Sequence, residues 1–345
     1  MAYTTINKSS DYFNTKLYTG NGSTNAITGV GFQPDFIWNK QRNGTYDHYL
    51  FNSLSGTGKY MKSNTTGSEG TNSDTVTSFD SDGFTLGNAA GNNGSGNTMA
   101  SWNWLGANGT TANTDGSISS TVSANTTSGF SIVKWTGNNG AGATVGHGLG
   151  SIPKIVLVKN IQQSGYDWVM YHASLGNTKR IWLNLTNAVS TNTGSWNNTT
   201  PSSSVFTLGS SGETNGSGEM IGYCFAEKQG YSKFGSYTGN GNADGSFIYT
   251  GFKPAWVMIK KTNDTHAWRI YDGVRDTHNL TEKILEPNTS NAEATSGTYV
   301  LDLVSNGFKF RGNGDGVNGS GQSFIYMAFA EAPLVGTNGV TAKAR

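Results

Sequence analysis

The residues of this chain that could do chemistry are few and mostly solitary. Its single cysteine, Cys224, stands between Tyr223 and Phe225 in an aromatic run, so no intrachain disulfide can form. A thiolate nucleophile needs a base beside it, which only the fold could supply from His147 or His172. The aromatic context instead predicts a buried, reduced thiol. The five histidines, His48, His147, His172, His266 and His278, show neither i,i+4 pairing nor cysteine partners at metal-ligand spacing, which predicts structural roles. His48 and His172 fall near one another when the copies described below are aligned. Glu227 and Glu331 end matching Phe-Ala-Glu phrases, but the first copy has Leu105-Gly106 there, so a glycosidase pair is not duplicated. Asp80-Ser81-Asp82-Gly83 resembles the opening of a calcium loop. Its counterparts Ser203-Ser204-Val205 and Ser305-Asn306-Gly307 carry no carboxylate, so a turn is expected. These spacings predict no catalytic residue, no metal and no cofactor.

One aromatic stands apart. Trp196 lies in Thr193-Gly194-Ser195-Trp196-Asn197-Asn198-Thr199-Thr200, a tract without apolar neighbours. An exposed ring flanked by amides can stack on a sugar while its neighbours bond the hydroxyls, so Trp196, Asn197 and Asn198 form the candidate ligand site. The competing reading folds Trp196 back over a neighbouring unit or subunit, because exposed tryptophan is uncommon. Trp182 and Trp268 alternate with polar residues and are weaker candidates.

The elements that must position these residues come in three copies. Each opens with an aromatic, Thr-Gly and an Asn-rich turn: Tyr18-Thr19-Gly20-Asn21, Trp135-Thr136-Gly137-Asn138 and Tyr237-Thr238-Gly239-Asn240. A Gly/Pro phrase then runs into apolar residues and a lysine, at Lys40, Lys159 and Lys260. Each copy closes with Asn-Gly-Ser-Gly, starting at Asn93, Asn215 and Asn318, before an aromatic-rich strand. Ordered landmarks recurring about every hundred residues mark internal repeats. Short β-branched and aromatic runs bounded by Gly, Asn and Pro predict strands at 15–19, 35–40, 48–51, 59–63, 75–79, 84–86 and 98–105 in the first copy. The residues 279–285 read as a strand by the same alignment. The expected fold is all-β, three tandem β-sandwich or jelly-roll-like repeats. The divisions are an N-terminal arm (1–13), repeat one (14–106), a linker (107–129) with one possible edge strand at 117–122, repeat two (130–228), repeat three (229–332) and a C-terminal tail (333–345). Asn-Gly-Ser-Gly reads as a hairpin turn, since Asn and Gly accept positive φ. Separate beads and one closed pseudo-threefold body remain equally open.

Only 13% of residues are charged and the net charge is +1, which excludes the electrostatic footprint of a nucleic-acid or anionic-membrane binder. No apolar run reaches the roughly 18 residues of a membrane helix, and the first residues lack a basic start followed by an apolar stretch, so neither span nor export signal is expected.

The phrases Tyr-Thr-Gly-Asn-Gly, Gly-Phe-x-Pro-x-Phe/Trp-Ile/Val, Val145-Gly146-His147-Gly148-Leu149-Gly150 and residues 230–241 resemble an uncharacterised repeat domain of tailed, especially marine, phage virion proteins. Members are usually labelled tail fibre or structural protein, and the resemblance runs from about residue 16 to 333. It implies a place on a particle and transfers no catalytic residue. The chain lacks a sizeable N-terminal adaptor and a coiled-coil shaft, so a compact surface protein is expected rather than a long fibre. The expected function is a non-enzymatic virion structural protein, in capsid decoration or a tail fibre, assembled in the host cytoplasm and carried on the virion surface. The alternative is a receptor- or carbohydrate-binding module, with a glycan depolymerase ranked last. The expected partners are other virion proteins, further copies of the chain (a trimer, by analogy with fibres) and a host surface glycan.

Overall fold

The computed structural model describes residues 3–336 and is almost entirely antiparallel β. The same strand order recurs in three main sheets. In the first, Phe13–Thr19 pairs with the closing strand Thr98–Trp104, which pairs with Phe36–Gln41 and then Tyr49–Asn52. The second repeats this with Phe130–Gly137, Gly218–Phe225, Ile155–Asn160 and Val169–His172. The third does so with Ser232–Thr238, Ser323–Pro333, Phe252–Lys261 and Arg269–Asp272. A small sheet covers one face of each: Asn25–Thr28, Gly83–Leu86 and Val76–Asp80; Thr144–Gly146 and Val205–Thr207; Phe247–Tyr249, Gly307–Phe310 and Leu301–Val304.

Strand alternation sends every second side chain into the sandwich of its own unit, where Ile37, Val156 and Val257 pack with Phe84, Phe206 and Phe308. The other face of each main sheet meets the same face of the other two. Phe36, Trp38, Trp102 and Trp104 join Ile155, Leu157, Tyr223, Phe225, Trp256, Met258, Met327 and Phe329 in one central cluster. Ring contacts cross all three boundaries: Phe36 to Tyr223 at 4.4 Å, Trp104 to Trp256 at 5.9 Å and Phe225 to Phe329 at 5.9 Å. The units are therefore not beads but walls of one closed body. Burial on both faces explains why Phe36–Gln41 and Ile155–Asn160 are buried at every position.

Several expectations change. The residues 107–129 are not a bare linker, because Thr111–Asn113 and Ser120–Asn125 extend the second main sheet as an edge hairpin. The N-terminal arm is not free over residues 3–12: Ile6 enters the central cluster, Thr4 Oγ1 donates to Gln229 O (2.7 Å) and Tyr3 OH to Gly251 O (2.6 Å). Of the C-terminal tail, residues 337–345 lie outside the described residues. Within 279–285 only Lys283–Ile284 is a strand.

Asn-Gly-Ser-Gly is more than a hairpin turn. In each unit a four-residue helical turn, Ala90–Asn93, Gly212–Asn215 or Asp315–Asn318, ends on the motif's asparagine. Positive φ falls only on its last glycine-bearing position, at Gly96 (78°), Gly218 (118°) and Gly321 (68°). The buried amides clasp the opening loop. Asn215 Nδ2 donates to Gly140 O (2.9 Å) and Gly209 O (3.2 Å), and its Oδ1 accepts from Asn138 N (3.0 Å). Asn93 and Asn318 repeat the pattern. The Thr-Gly glycine lies so close beneath that a Cβ on Gly20, Gly137 or Gly239 would meet the carbonyl oxygen of Gly94, Gly216 or Gly319 at 2.2, 2.0 or 2.4 Å. The two recurring phrases are halves of one clasp.

Candidate functional site

The polar groups that recur threefold converge on the boundaries between units. Lys40, Lys159 and Lys260 end the apolar strands and are fully buried. Lys159 Nζ donates to Thr66 O of the preceding unit (3.3 Å) and to Tyr166 O (2.8 Å). Lys260 Nζ donates likewise to Thr186 O (3.0 Å) and Lys261 O (2.8 Å). Lys40 Nζ completes the cycle with Ser290 O (3.3 Å) and Gln41 O (2.8 Å). Backbone bonds cross the same boundaries in the opposite sense: Glu69 N to Ile161 O, Val189 N to Thr262 O and Glu293 N to Arg42 O, at 2.8 to 2.9 Å. Indoles add a third set, with Trp168 Nε1 donating to Lys62 O (2.9 Å) and Trp268 Nε1 to Trp182 O (2.8 Å). His48 takes the indole position in the first unit, where its Nδ1 accepts from Trp38 Nε1 (2.9 Å) and the Glu286 carbonyl lies beside the ring. Each unit thus turns its lysine toward carbonyls of the preceding unit and a backbone N–H toward the following one, a head-to-tail contact that closes after three steps. Loss of hydration lowers the amines of Lys40 and Lys159 to about 8 and that of Lys260 to about 7.

The boundary between units three and one, which no chain connection joins, carries an added ion network. Arg42 grips Glu293 through two bonds (3.0 and 2.8 Å). Arg275 bonds Glu293 (3.0 Å) and pairs with fully buried Asp272, whose Oδ2 also accepts from Trp102 Nε1 of unit one (3.0 Å).

The structure does not assemble the expected ligand site. Trp196 is not an exposed platform: it ends the helical turn Thr193–Trp196, is 1% exposed, and packs edge-on against Tyr171 (5.9 Å) in the core of unit two. The turn rotates the ring inward, while Asn197 and Asn198, with φ of 49° and 52°, remain exposed beyond it. Trp268 is buried in its seam, and Trp182 lies under the Arg180 guanidinium (4.6 Å) with Nε1 donating to Glu213 (3.2 Å).

The candidate reactive groups are likewise engaged. Cys224 is buried opposite Ser131 and Val156, and burial pushes its thiol up, away from the nucleophilic thiolate. His172 corresponds to Asn52 and Asp272, not to His48. Its Nε2 donates to Tyr326 O across the boundary (3.3 Å), its Nδ1 accepts from Ser174 N, and burial lowers it to about 4. Burial lowers His147 as well. Asp82 accepts from Gly29 N (2.9 Å) and Gly31 N (2.7 Å), and Asp80 from Thr85 Oγ1 (2.7 Å), so this pair fastens a turn. Glu227 accepts from Phe234 N (2.8 Å) and Glu331 pairs with Lys253 (2.6 Å), two unlike roles. Asp264, His266 and Asp315 bring their ligand atoms within 4.8 Å of one another. The Lys261 ammonium already stands between the carboxylates at 3.2 and 2.7 Å, where a cation would go.

One outward surface departs from the repeat. In the small sheet of unit three, Phe247 and Tyr249 are 48% and 54% exposed. Register places Phe247 opposite Lys309 and Tyr249 opposite Gly307. The corresponding positions are Ala26 and Thr28 in unit one and Thr144 and Gly146 in unit two. Sequence reasoning missed these two aromatics because the strand they sit on was not recognised; a column-by-column comparison of the three copies would have exposed them.

No curated protein and no solved structure matches the chain. The model of a domain of unknown function, DUF7483, matches residues 8–333, all three units within one domain, and the chain belongs to that family.

Proposed function

We propose that this chain is a non-enzymatic structural protein of a phage particle, exposed on the virion surface as capsid decoration or as part of a tail fibre. The observation that carries the reading is the cycle of buried lysine, indole and backbone contacts. The polar groups that recur in every copy join unit to unit, as expected of a rigid building block. The phage resemblance supports the placement, and a family domain spanning all three units supports a ring acting as one module. Such a body presents the threefold arrangement of a fibre trimer within one chain; its partners are other virion proteins, and further copies would associate through its outer faces. Immunogold electron microscopy of purified particles, with antibody to the recombinant chain, tests this: label on heads supports decoration, label on tails supports a fibre component, and unlabelled particles refute the assignment.

A second reading, attachment to a host surface glycan, is favoured by the exposed aromatic pair of unit three rather than by Trp196.

A further inference from the structure

We propose that the outward face of the small sheet in unit three is a carbohydrate platform, with Phe247 and Tyr249 stacking on the C–H faces of sugar rings. This rests on the second reading above and gives it a location.

Residues two apart on a strand point to one side, which sets the roots of the two side chains about 7 Å apart on the edge strand Phe247–Tyr249. The floor between them is kept low by Gly307, where any side chain would strike Ile248 O at 2.0 Å. Hydrogen-bonding groups rim the face: Lys309 Nζ pairs with Asp244 (2.8 Å) and Arg311 Nε with Asp302 (2.5 Å). Carboxylate and guanidinium pairs of this kind offer fixed acceptors and donors for sugar hydroxyls. The fold does not require the aromatics, since Ala26 and Thr28 occupy the same places in unit one.

Size favours a sugar over a protein. Two half-exposed rings present roughly 200 Å² of apolar surface, given aromatic side chains of about 150–250 Å² each. A stable protein interface needs about 800 Å² from each partner. The patch suits one or two sugar rings.

The test uses the full chain in native gels cast with laminarin, hydroxyethyl cellulose, xylan or mannan. The paired variant Phe247→Ala with Tyr249→Thr copies unit one, and an unchanged melting curve verifies its fold. Retardation of the wild type by one or more of these polymers, weakened about tenfold or more in the variant, supports the platform. Equal retardation of both proteins overturns the platform while leaving glycan attachment standing elsewhere on the surface. No retardation by any polymer overturns the platform and the glycan reading together, and leaves particle placement to the immunogold result. Retention on host envelopes that protease removes and periodate spares assigns the face to a protein and overturns the proposal.

Discussion

Replacing Lys260 with methionine should change how stability depends on pH more than stability at any single pH. The substitution strands Thr186 O and Lys261 O, each at about 1–3 kcal/mol, while removing a buried charge whose hydration was lost. These effects oppose, so the level is a poor readout and the slope a good one. An amine lowered to about 7 in the fold, against an ordinary 10.5, is neutral in the folded protein and protonated in the unfolded chain throughout that window. The unfolded state then binds more protons, so stability rises with pH from about 7 to 10.5 and is lost as pH falls back through the folded value. Each such proton is worth about 1.4 kcal/mol per pH unit, and Lys40, Lys159 and Lys260 together give about 4 near pH 9. Cys224 and the buried tyrosines, among them Tyr18, Tyr223, Tyr231, Tyr237 and Tyr271, oppose, because they ionise in the unfolded chain before they do in the fold. Up to about pH 8.5 their opposition stays under about one proton, leaving a net rise of about 2–3 kcal/mol per pH unit there. Urea unfolding followed by tryptophan fluorescence between about pH 7.5 and 8.5, below the range in which unfolded tyrosines ionise, measures this slope. The variant should lose about 1.4 kcal/mol per pH unit of it. A wild-type curve that is flat or falling, or an unchanged slope in the variant, would refute charge burial at the seams.

Three further outcomes are expected. Asn215→Ala removes the amide of one clasp and should cost about 2–4 kcal/mol in thermal unfolding, whereas an exposed amide such as Asn198 should cost under about 0.5. Trp196→Ala should lower stability by about 3–5 kcal/mol and leave polysaccharide retardation untouched; lost binding in a folded variant would restore the ring as a ligand platform. Glu293→Gln unpairs Arg42 and leaves Arg275 with Asp272 alone at the boundary without a chain connection, and should cost about 3–5 kcal/mol. Light scattering should then detect chains joined head to tail, and particles of wild-type size at all concentrations would contradict the role given to that network.

The strands were legible because turn residues punctuate them. The expected 98–105 and 59–63 match Thr98–Trp104 and Lys59–Lys62 within a residue, and the all-β class followed. The central cluster was not legible, since an apolar run such as Phe36–Gln41 looks the same whether its second face meets solvent-side loops or two other sheets. The lysines ending those runs were visible as a repeated letter, but their partners are backbone carbonyls, which carry no side-chain signature. Trp196 misled because four helical residues are too few to show periodicity, and Asn197 and Asn198 face outward while the ring turns in beside buried Ser195.

The segment around Ile6 and Phe13 couples residues made more than 300 positions apart. Ile6 lies in a cluster that includes Phe329, and Phe13 stacks on Phe329 at 5.1 Å. On a ribosome adding about 5–20 residues per second, the first strand therefore waits roughly 20 to 60 seconds for that partner to be made. Until then the aromatic inner walls of units one and two stand uncovered, and protection of the nascent chain, rather than the stability of the finished ring, should govern its yield in cells.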